Sequence, residues 1–138
     1  MKAKKENINF RSDCPISSAL DLFGDKWSLL IIRDLVYFGV RTFKDFSNAG
    51  ERISSARLAD RLCKLDALGL LKKSNHPTNK KVFLYNLTEK GLDLFPVIAE
   101  YVKWSDKYLS EHIAEPAKQF ARQLEKDREG TLKQFMKK

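Results

Sequence analysis

The most regular alternation of apolar and polar positions lies in residues 53–68, ISSARLADRLCKLDAL. Apolar side chains recur there at steps of four and three residues, the period that places them on one face of an α-helix. This stripe is formed by Leu58, Leu62 and Leu65. Ser54 or Ser55 can begin the helix, because a serine hydroxyl accepts a hydrogen bond from an otherwise unpaired backbone N–H. Gly69 can end it, since glycine adopts the left-handed backbone conformation at low steric cost.

Three shorter elements are predicted before this stretch. Residues 13–24 can form a first helix, because a proline lies in its first turn and a glycine at its end. Residues 25–37 carry a wide apolar stripe that includes Trp27, which predicts a second helix deep in the core. Residues 41–42 can form a short strand or a cap, and residues 43–49 predict a third, short helix.

The pattern changes from helical to alternating after the leucine-striped helix. Residues 70–74 and 81–87 predict two strands, and residues 75–80 between them are rich in turn-forming and cationic side chains. A short helix, a turn and a leucine-striped helix match a helix-turn-helix, and a basic hairpin directly after it is typical of a wing. The predicted fold class is therefore mainly α with a small β-hairpin, an α+β winged helix-turn-helix.

Residues 88–108 predict a long helix with an unusually aromatic apolar face that includes Trp104 and Tyr108. Pro96 predicts a kink in this helix unless it falls in the first turns. The apolar face is larger than a domain of about 100 residues needs to cover. We therefore expect part of it to contact a second subunit.

These patterns divide the chain into three segments. Residues 1–12 carry several cations and little to bury, so we expect a flexible basic arm. Residues 13–109 hold the winged helix-turn-helix with its dimerisation helices at the N-terminal and C-terminal sides. Residues 110–138 are highly charged. We expect them to form a peripheral amphipathic helix that Gly130 breaks, followed by a frayed basic tail, and not a second domain.

Composition narrows the class of protein further. The chain of 138 residues has a formal net charge of +8, which favours polyanionic partners, and 43% hydrophobic residues, which indicates a folded chain. No apolar run approaches the ~20 residues that span a bilayer, and the N-terminus lacks the apolar core of a signal peptide. We therefore expect a cytoplasmic protein without membrane contact. Cys14 and Cys63 are too few for a disulfide framework.

The sequence lacks the patterns of an enzyme or a metalloprotein. We find no nucleophile–base pair, carboxylate dyad, phosphate-binding loop or cofactor fingerprint. His76 and His112 fall in unrelated elements, with no clustered cysteine or carboxylate at metal-ligand spacing. We therefore expect no catalytic residues, no metal and no cofactor.

The leucine-striped helix has two interpretations. Taken alone, a leucine stripe opposite charged residues is typical of an ordinary surface helix. The short helix before it and the basic hairpin after it favour a recognition helix that binds DNA.

Residues 14–104 resemble the HxlR family of bacterial and archaeal winged-helix transcription regulators, relatives of the MarR group. The resemblance is carried by the stretches CPISSALDLFGDKWSLLIIRDL, TFKDF, ISSARLADRLCKLDALGLL and YNLTEKGLDLFPVI. It implies a sequence-specific regulator that binds double-stranded DNA as a homodimer on a pseudo-palindromic operator. It also implies control by thiol oxidation, by an electrophile or by a small ligand.

The same resemblance implies which residues contact DNA and the second subunit. The residues expected to reach base edges are Ser54, Ser55, Ala56, Arg57 and Arg61. Those expected to reach phosphate or the minor groove are Lys44, Lys64, Lys80 and Lys81. Those expected at the dimer interface are Ile16, Leu20, Phe95, Ile98, Tyr101, Val102 and Trp104. The family usually has longer polar or basic residues where this chain has Ala56, Asp60 and Cys63, so its operator is expected to differ from a typical family site.

Two alternatives stay open at this point. At a helix N-terminus beside the cations of the arm, the Cys14 thiol can be stabilised as a thiolate and oxidised. Some members of the resembled family sense quinones, aldehydes or hypochlorite through a cysteine at this place. Cys14 can equally be a small packing residue near the dimer contact. The rival to a regulator is a winged helix that serves as a non-specific architectural or protein-docking module.

Overall fold

Residues 8–137 are described by a computed structural model of the chain. Its contacts divide it into two units, with the boundary between Leu92 and Asp93. Most of the predicted basic arm, residues 1–7, lies outside the described residues. None of the described helices is both long and apolar enough to cross a membrane.

The first unit contains five helices and a small sheet. The helices are α1 (Pro15–Phe23), α2 (Ser28–Phe38), α3 (Phe43–Ser47), α4 (Ser55–Ala67) and α5 (Glu89–Leu92). The predicted leucine stripe of α4 is confirmed, because all three of its side chains are buried. The apolar side chains of α2 and α3 that lie in the core are Ile31, Ile32, Leu35 and Phe46. Trp27, which the sequence predicts deep in the core, is instead half-buried at the N-cap of α2.

The predicted hairpin is confirmed, and a third strand joins it. The strands are β1 (Arg41–Thr42), β2 (Leu71–Asn75) and β3 (Phe83–Leu87). They form an antiparallel sheet in the order β1-β3-β2, with Leu71 opposite Leu87 and Arg41 opposite Tyr85. Tyr85 is buried and meets the ring of Phe46 edge to face, 6.1 Å between centroids. The sheet therefore packs on the helix that precedes the leucine-striped one.

Local capping explains where the helices of this unit begin and end. Thr42 and Asp45 form a reciprocal capping box at α3, with the Thr42 N–H donating to the Asp45 carboxylate at 2.9 Å. Ser54 Oγ accepts from the backbone N–H of Arg57 at 3.3 Å and so caps α4. Gly69 follows α4 with a φ of 77°, the left-handed conformation expected of it.

The second unit contains three helices, α6 (Phe95–Tyr108), α7 (Glu115–Lys126) and α8 (Arg128–Met136). Three aromatic side chains, one from each helix, form its centre. The rings of Phe95 and Phe120 are 5.9 Å apart, and Phe135 lies 5.2 Å from each of them. These ring contacts are within the range that favours tilted and edge-to-face pairs.

Two predictions for the C-terminal region are wrong. The long helix predicted from residue 88 is divided into α5 and α6, and Pro96 falls in the first turn of α6, where its missing N–H costs nothing. The tail after Gly130 is helical and not frayed. Asp127 is the reason, because its side chain accepts from the Gly130 N–H at 3.0 Å and so begins α8.

Candidate nucleic-acid interface

The outer face of α4 is exposed along its length. Its N-terminal end presents the side chains of Ser54, Ser55, Ala56 and Arg57, all of them exposed. Further along the same face lie Asp60 and Cys63, which are also exposed. The inward leucines and outward short side chains give α4 the shape expected of a helix that enters a groove.

The turn between α3 and α4 is held by α2. Arg33 of α2 donates from Nη1 and Nη2 to the two carboxylate oxygens of Glu51, each at 3.0 Å. The Arg33 Nε also donates to the buried Asp34 at 2.9 Å. The hydrogen bond to Glu51 is the main cause that raises the pKa of Arg33, and it lowers the pKa of Glu51 in return. A two-pronged contact of this kind fixes the loop that leads into α4.

Backbone geometry in the same turn is unusual. Arg52 has a φ of 58°, and it is the non-glycine residue with positive φ among the described residues. A left-handed backbone conformation costs a non-glycine residue about 1 kcal/mol or more of conformational free energy. The surrounding contacts must therefore hold Arg52 in this conformation. The Arg33–Glu51 pair, one residue away, is placed to do this.

Arg61 is engaged within the chain. Its Nη1 lies 3.3 Å from Asp25 Oδ1, and its Nε donates to Asp60 at 3.1 Å. The Nη2 of Arg61 also pairs with Asp60. The sequence suggests Arg61 as a contact with base edges, and it did not indicate Asp25 as a partner, since the two residues are far apart in the chain. Only the neighbouring Asp60 was a visible signal.

The wing carries the predicted cations at its tip. Lys80 and Lys81 are exposed in the loop between β2 and β3. The loop is ordered by His76, whose Nδ1 accepts from the backbone N–H groups of Thr78 at 3.2 Å and Asn79 at 3.1 Å. Its two ends are joined by the His76 N–H, which donates to the Val82 carbonyl at 3.1 Å.

Two exposed cations of the wing hairpin are not among those predicted from the sequence to contact DNA. Lys72 and Lys73 of β2 are exposed, and the Lys73 ammonium lies 3.9 Å from the centre of the Phe83 ring. Their place in the predicted strand directly before the wing loop is a signal that the sequence offers. Of the other predicted phosphate contacts, Lys44 on α3 is exposed and Lys64 on α4 is half-buried.

Cys14 is exposed at the N-cap of α1. Backbone N–H groups of Ser17 and Ile16 at the start of this helix lower the pKa of its thiol. The sequence attributes this effect to the helix N-terminus and to the cations of the arm. Of these cations, Arg11 pairs with Asp21, with 2.5 Å between Nε and Oδ1. Within the described residues, the helix N-terminus is therefore the cause of the shift.

The residues predicted at a dimer interface fall into two groups. Ile16 and Leu20 on α1, and Tyr101 and Trp104 on α6, are exposed apolar side chains. Phe95 and Ile98 are buried in the single chain, with Phe95 fully buried against the aromatic rings of α7 and α8. Val102 is half-buried. Helical period alone could not separate the two groups, since all of them belong to apolar positions.

The described residues hold no group of three or more histidine, cysteine or acidic side chains that could bind a metal ion. His76 lies in the wing of the first unit, and His112 lies after α6 in the second unit.

Curated relatives of the chain are transcriptional regulators. Residues 22–113 match the HxlR-like helix-turn-helix family. The chain is 38% identical over 104 residues to an HTH-type transcriptional regulator of Mycobacterium tuberculosis, a match that covers 75% of this chain and 64% of the relative. The match therefore spans less than two thirds of that relative. The chain is also 34% identical over 96 residues to the HTH-type transcriptional regulator YodB of Bacillus subtilis, covering 69% of this chain and 85% of YodB.

Solved structures of related regulators share the fold. Reduced YodB superposes with a TM-score of 0.58 at 33% identity, covering 76% of this chain and 98% of that one. Quinone-bound YodB superposes with a TM-score of 0.56 at 33% identity, covering 69% and 99%. A MarR-family transcriptional regulator from Porphyromonas gingivalis gives a TM-score of 0.63 at 29% identity, covering 75% and 99%. The chain belongs to the HxlR-like helix-turn-helix family, and its fold is a winged helix-turn-helix.

Proposed function

We propose that the chain binds a pseudo-palindromic operator in double-stranded DNA as a homodimer. The observation that carries this proposal is the exposure of the N-terminal end of α4 together with the exposed cations of the wing, which follows α4 in the chain. A helix with short outward side chains can approach base edges closely, and the cations of the wing supply contacts with phosphate or the minor groove. The net charge of +8 supports the same partner.

In this proposal the start of α4 reads the sequence of the operator. Arg57 is the strongest candidate, since an arginine that bonds to both acceptors of a guanine contributes about 1–3 kcal/mol of discrimination. Ser54 and Ser55 can donate or accept at base edges, and Ala56 offers a methyl group suited to thymine. Lys44, Lys80 and Lys81 add affinity that does not depend on sequence.

Exposed apolar side chains support the homodimer. Tyr101 and Trp104 of α6, and Ile16 and Leu20 of α1, are each about half exposed or more. Aromatic side chains of this kind are enriched at subunit contacts, where they bury large areas. A two-fold axis would place the two copies of α4 in successive major grooves, ~34 Å apart.

We propose that Cys14 controls DNA binding. The thiol is exposed, and the N-terminus of α1 favours its thiolate form. YodB, a relative, has been solved with quinone bound. In this chain the Cys14 thiol would add to a ring carbon of a quinone, with formation of one S–C bond. The ring takes up the thiol proton and the electron pair and becomes a hydroquinone.

Selection from random double-stranded oligonucleotides, followed by titration of the selected and unselected DNA, tests the proposal. We expect an inverted repeat and a ratio of affinities above ~10³ at physiological salt. A ratio near one, with binding that depends only on ionic strength, would instead indicate the non-specific architectural or docking module.

A further inference from the structure

The guanidinium of Arg61 meets carboxylates from two directions. Asp25, in the turn before α2, lies 3.3 Å from Nη1, while Asp60 on α4 itself pairs with Nε and Nη2. All three nitrogens of the guanidinium therefore have an acidic partner inside the chain. These contacts engage each nitrogen once, so two of the five N–H donors of the guanidinium are left for another acceptor.

Asp25 is held rigidly by the start of α2. Its Oδ2 accepts from the backbone N–H groups of Trp27 and Ser28, each at 3.0 Å. Its Oδ1 accepts from Ser28 Oγ at 2.6 Å, and Ser28 is fully buried. The carboxylate is thus the cap of a core helix, and its contact with Arg61 ties α4 to that helix.

We propose that Asp25 is a positioning residue for DNA recognition, which holds Arg61 and through it the orientation of α4 on the core. The inference rests on the proposed function, since it concerns how the recognition helix is presented. In this proposal Arg61 links α4 to the start of α2 and does not contact a base.

The burial of Asp25 and Arg61 indicates that the two residues stay paired when DNA binds. The side chains of Asp25 and Arg61 are 25% and 21% exposed. If a DNA phosphate drew Arg61 away, the carboxylate of Asp25 would stay partly buried without its cation. Leaving a partly buried charge unpaired costs free energy. Asp60 beside it would also repel the approaching phosphate. The pair is therefore retained when DNA binds.

The test compares Asp25→Asn with Glu111→Gln on selected and random DNA. The amide of Asp25→Asn keeps an oxygen that can cap α2 and removes the charge that holds Arg61. We expect the ratio of selected to random affinity to fall about tenfold in Asp25→Asn, which is the change that one lost charge-assisted contact gives. The control, Glu111→Gln, removes an exposed carboxylate that lies outside the ion pairs of the described residues, and it should leave this ratio unchanged.

Arg61 variants distinguish a structural link between α4 and α2 from a direct DNA contact. Arg61→Ala should lower the ratio as Asp25→Asn does, and the double variant should be no worse, because both changes remove one contact. Arg61→Lys, which keeps the charge, should recover part of the ratio. The slope of log affinity against log salt should stay at its wild-type value in all of them.

Other outcomes overturn the inference. Tighter operator binding by Asp25→Asn would mean that Asp25 competes with DNA for Arg61, and an unchanged ratio would mean that the tie has no role. A salt slope reduced by about one in Arg61→Ala would show a phosphate contact. Lost discrimination at one base pair would show base contact. If Asp25→Asn fails to fold, the Arg61 variants decide. A wild-type chain without sequence preference would instead overturn the proposed function itself.

Discussion

A Cβ atom on Gly91 would lie 1.9 Å from the carbonyl oxygen of Leu70. The backbone of α5 at Gly91 is therefore in direct contact with the backbone of Leu70, which follows α4. The side chains around Gly91 reinforce this contact, because Thr88 Oγ1 donates to the Gly69 carbonyl at 2.5 Å and Lys90 Nζ to the Leu68 carbonyl at 2.8 Å. Two sequence motifs, Gly-Leu after α4 and Leu-Thr-Glu-Lys-Gly at the start of α5, are thus two halves of one packing contact.

Replacement of Gly91 by alanine should destabilise the first unit. The added methyl group meets backbone, which cannot move away without distorting the sheet, so we expect a loss of roughly 3 kcal/mol. Urea unfolding measures this loss. Gly50→Ala is the control, since a Cβ there has nothing within 4 Å, and it should stay within about 0.5 kcal/mol of wild type. Equal effects of the two substitutions would contradict the packing described.

The Arg33–Glu51 pair predicts a pH dependence of stability. Because Arg33 lowers the pKa of folded Glu51, the unfolded chain binds this proton more readily, and the contribution of the pair is present above the ordinary glutamate pKa of about 4.3. It is lost as the pH falls below that value. Glu51 is partly exposed, so Glu51→Gln should cost only about 0.5–1 kcal/mol at pH 7.

The difference between wild type and Glu51→Gln should therefore be smaller at about pH 3 than at pH 7. Urea unfolding at the two pH values measures it. Glu111→Gln, which removes an exposed carboxylate outside the ion pairs of the described residues, should show no such change. A Glu51→Gln difference that persists at low pH would mean that the carboxylate charge is not its source.

Two substitutions in the candidate interface should separate sequence-specific DNA binding from non-specific electrostatic attraction to DNA. Arg57→Ala should weaken binding to the selected operator more than to random DNA, since it removes a base contact. Lys80→Ala should weaken both about equally and lower the salt slope by about one. Mobility-shift titration at several salt concentrations measures both quantities. If neither substitution changes binding, the placement of α4 and the wing on DNA is wrong.

Cys14→Ser should uncouple the chain from electrophiles. Wild-type protein should release its operator after treatment with a quinone, and Cys14→Ser should stay bound because a hydroxyl does not add to the ring under these conditions. Cys63→Ser, which changes the other exposed thiol, is the control and should still release. Release by the Cys14→Ser protein would remove the sensor.

The exposed aromatic side chains of α6 should hold the dimer together. Trp104→Ser removes a large side chain that is 59% exposed in the single chain, and we expect at least a tenfold weaker dimer in sedimentation equilibrium. Phe38→Ser is the matched control, since Phe38 is similarly exposed but belongs to α2 and not to the predicted interface. Equal dimer affinity in wild type and Trp104→Ser would contradict the proposed interface.

Local rules made most of the first unit predictable from sequence. Leucine spacing, a serine cap and a terminal glycine define α4, and each acts over a few residues. The hairpin followed from alternation in the same way. The resemblance of the quoted motifs to a known family indicates a DNA-binding regulator, and the match of residues 22–113 confirms the family.

What escaped prediction depends on contacts between distant residues. Arg61 was assigned to DNA because nothing in its vicinity showed that Asp25 would reach it. Phe95 was assigned to a dimer contact because its partners, Phe120 and Phe135, lie in helices that follow much later. The sequence predicts that Gly130 ends a helix, whereas Asp127 before it begins another. A pattern within one segment does not say which other segment covers it.

Hydroxyl-radical footprinting on the selected operator tests the central claim most directly. A dimer that places two α4 helices in successive major grooves should protect two symmetrical segments on one face of the duplex, centred about one helical turn apart. Arg57→Ala should lose this protection before it loses binding to random DNA. A single protected segment, or uniform protection along the duplex, would contradict the account.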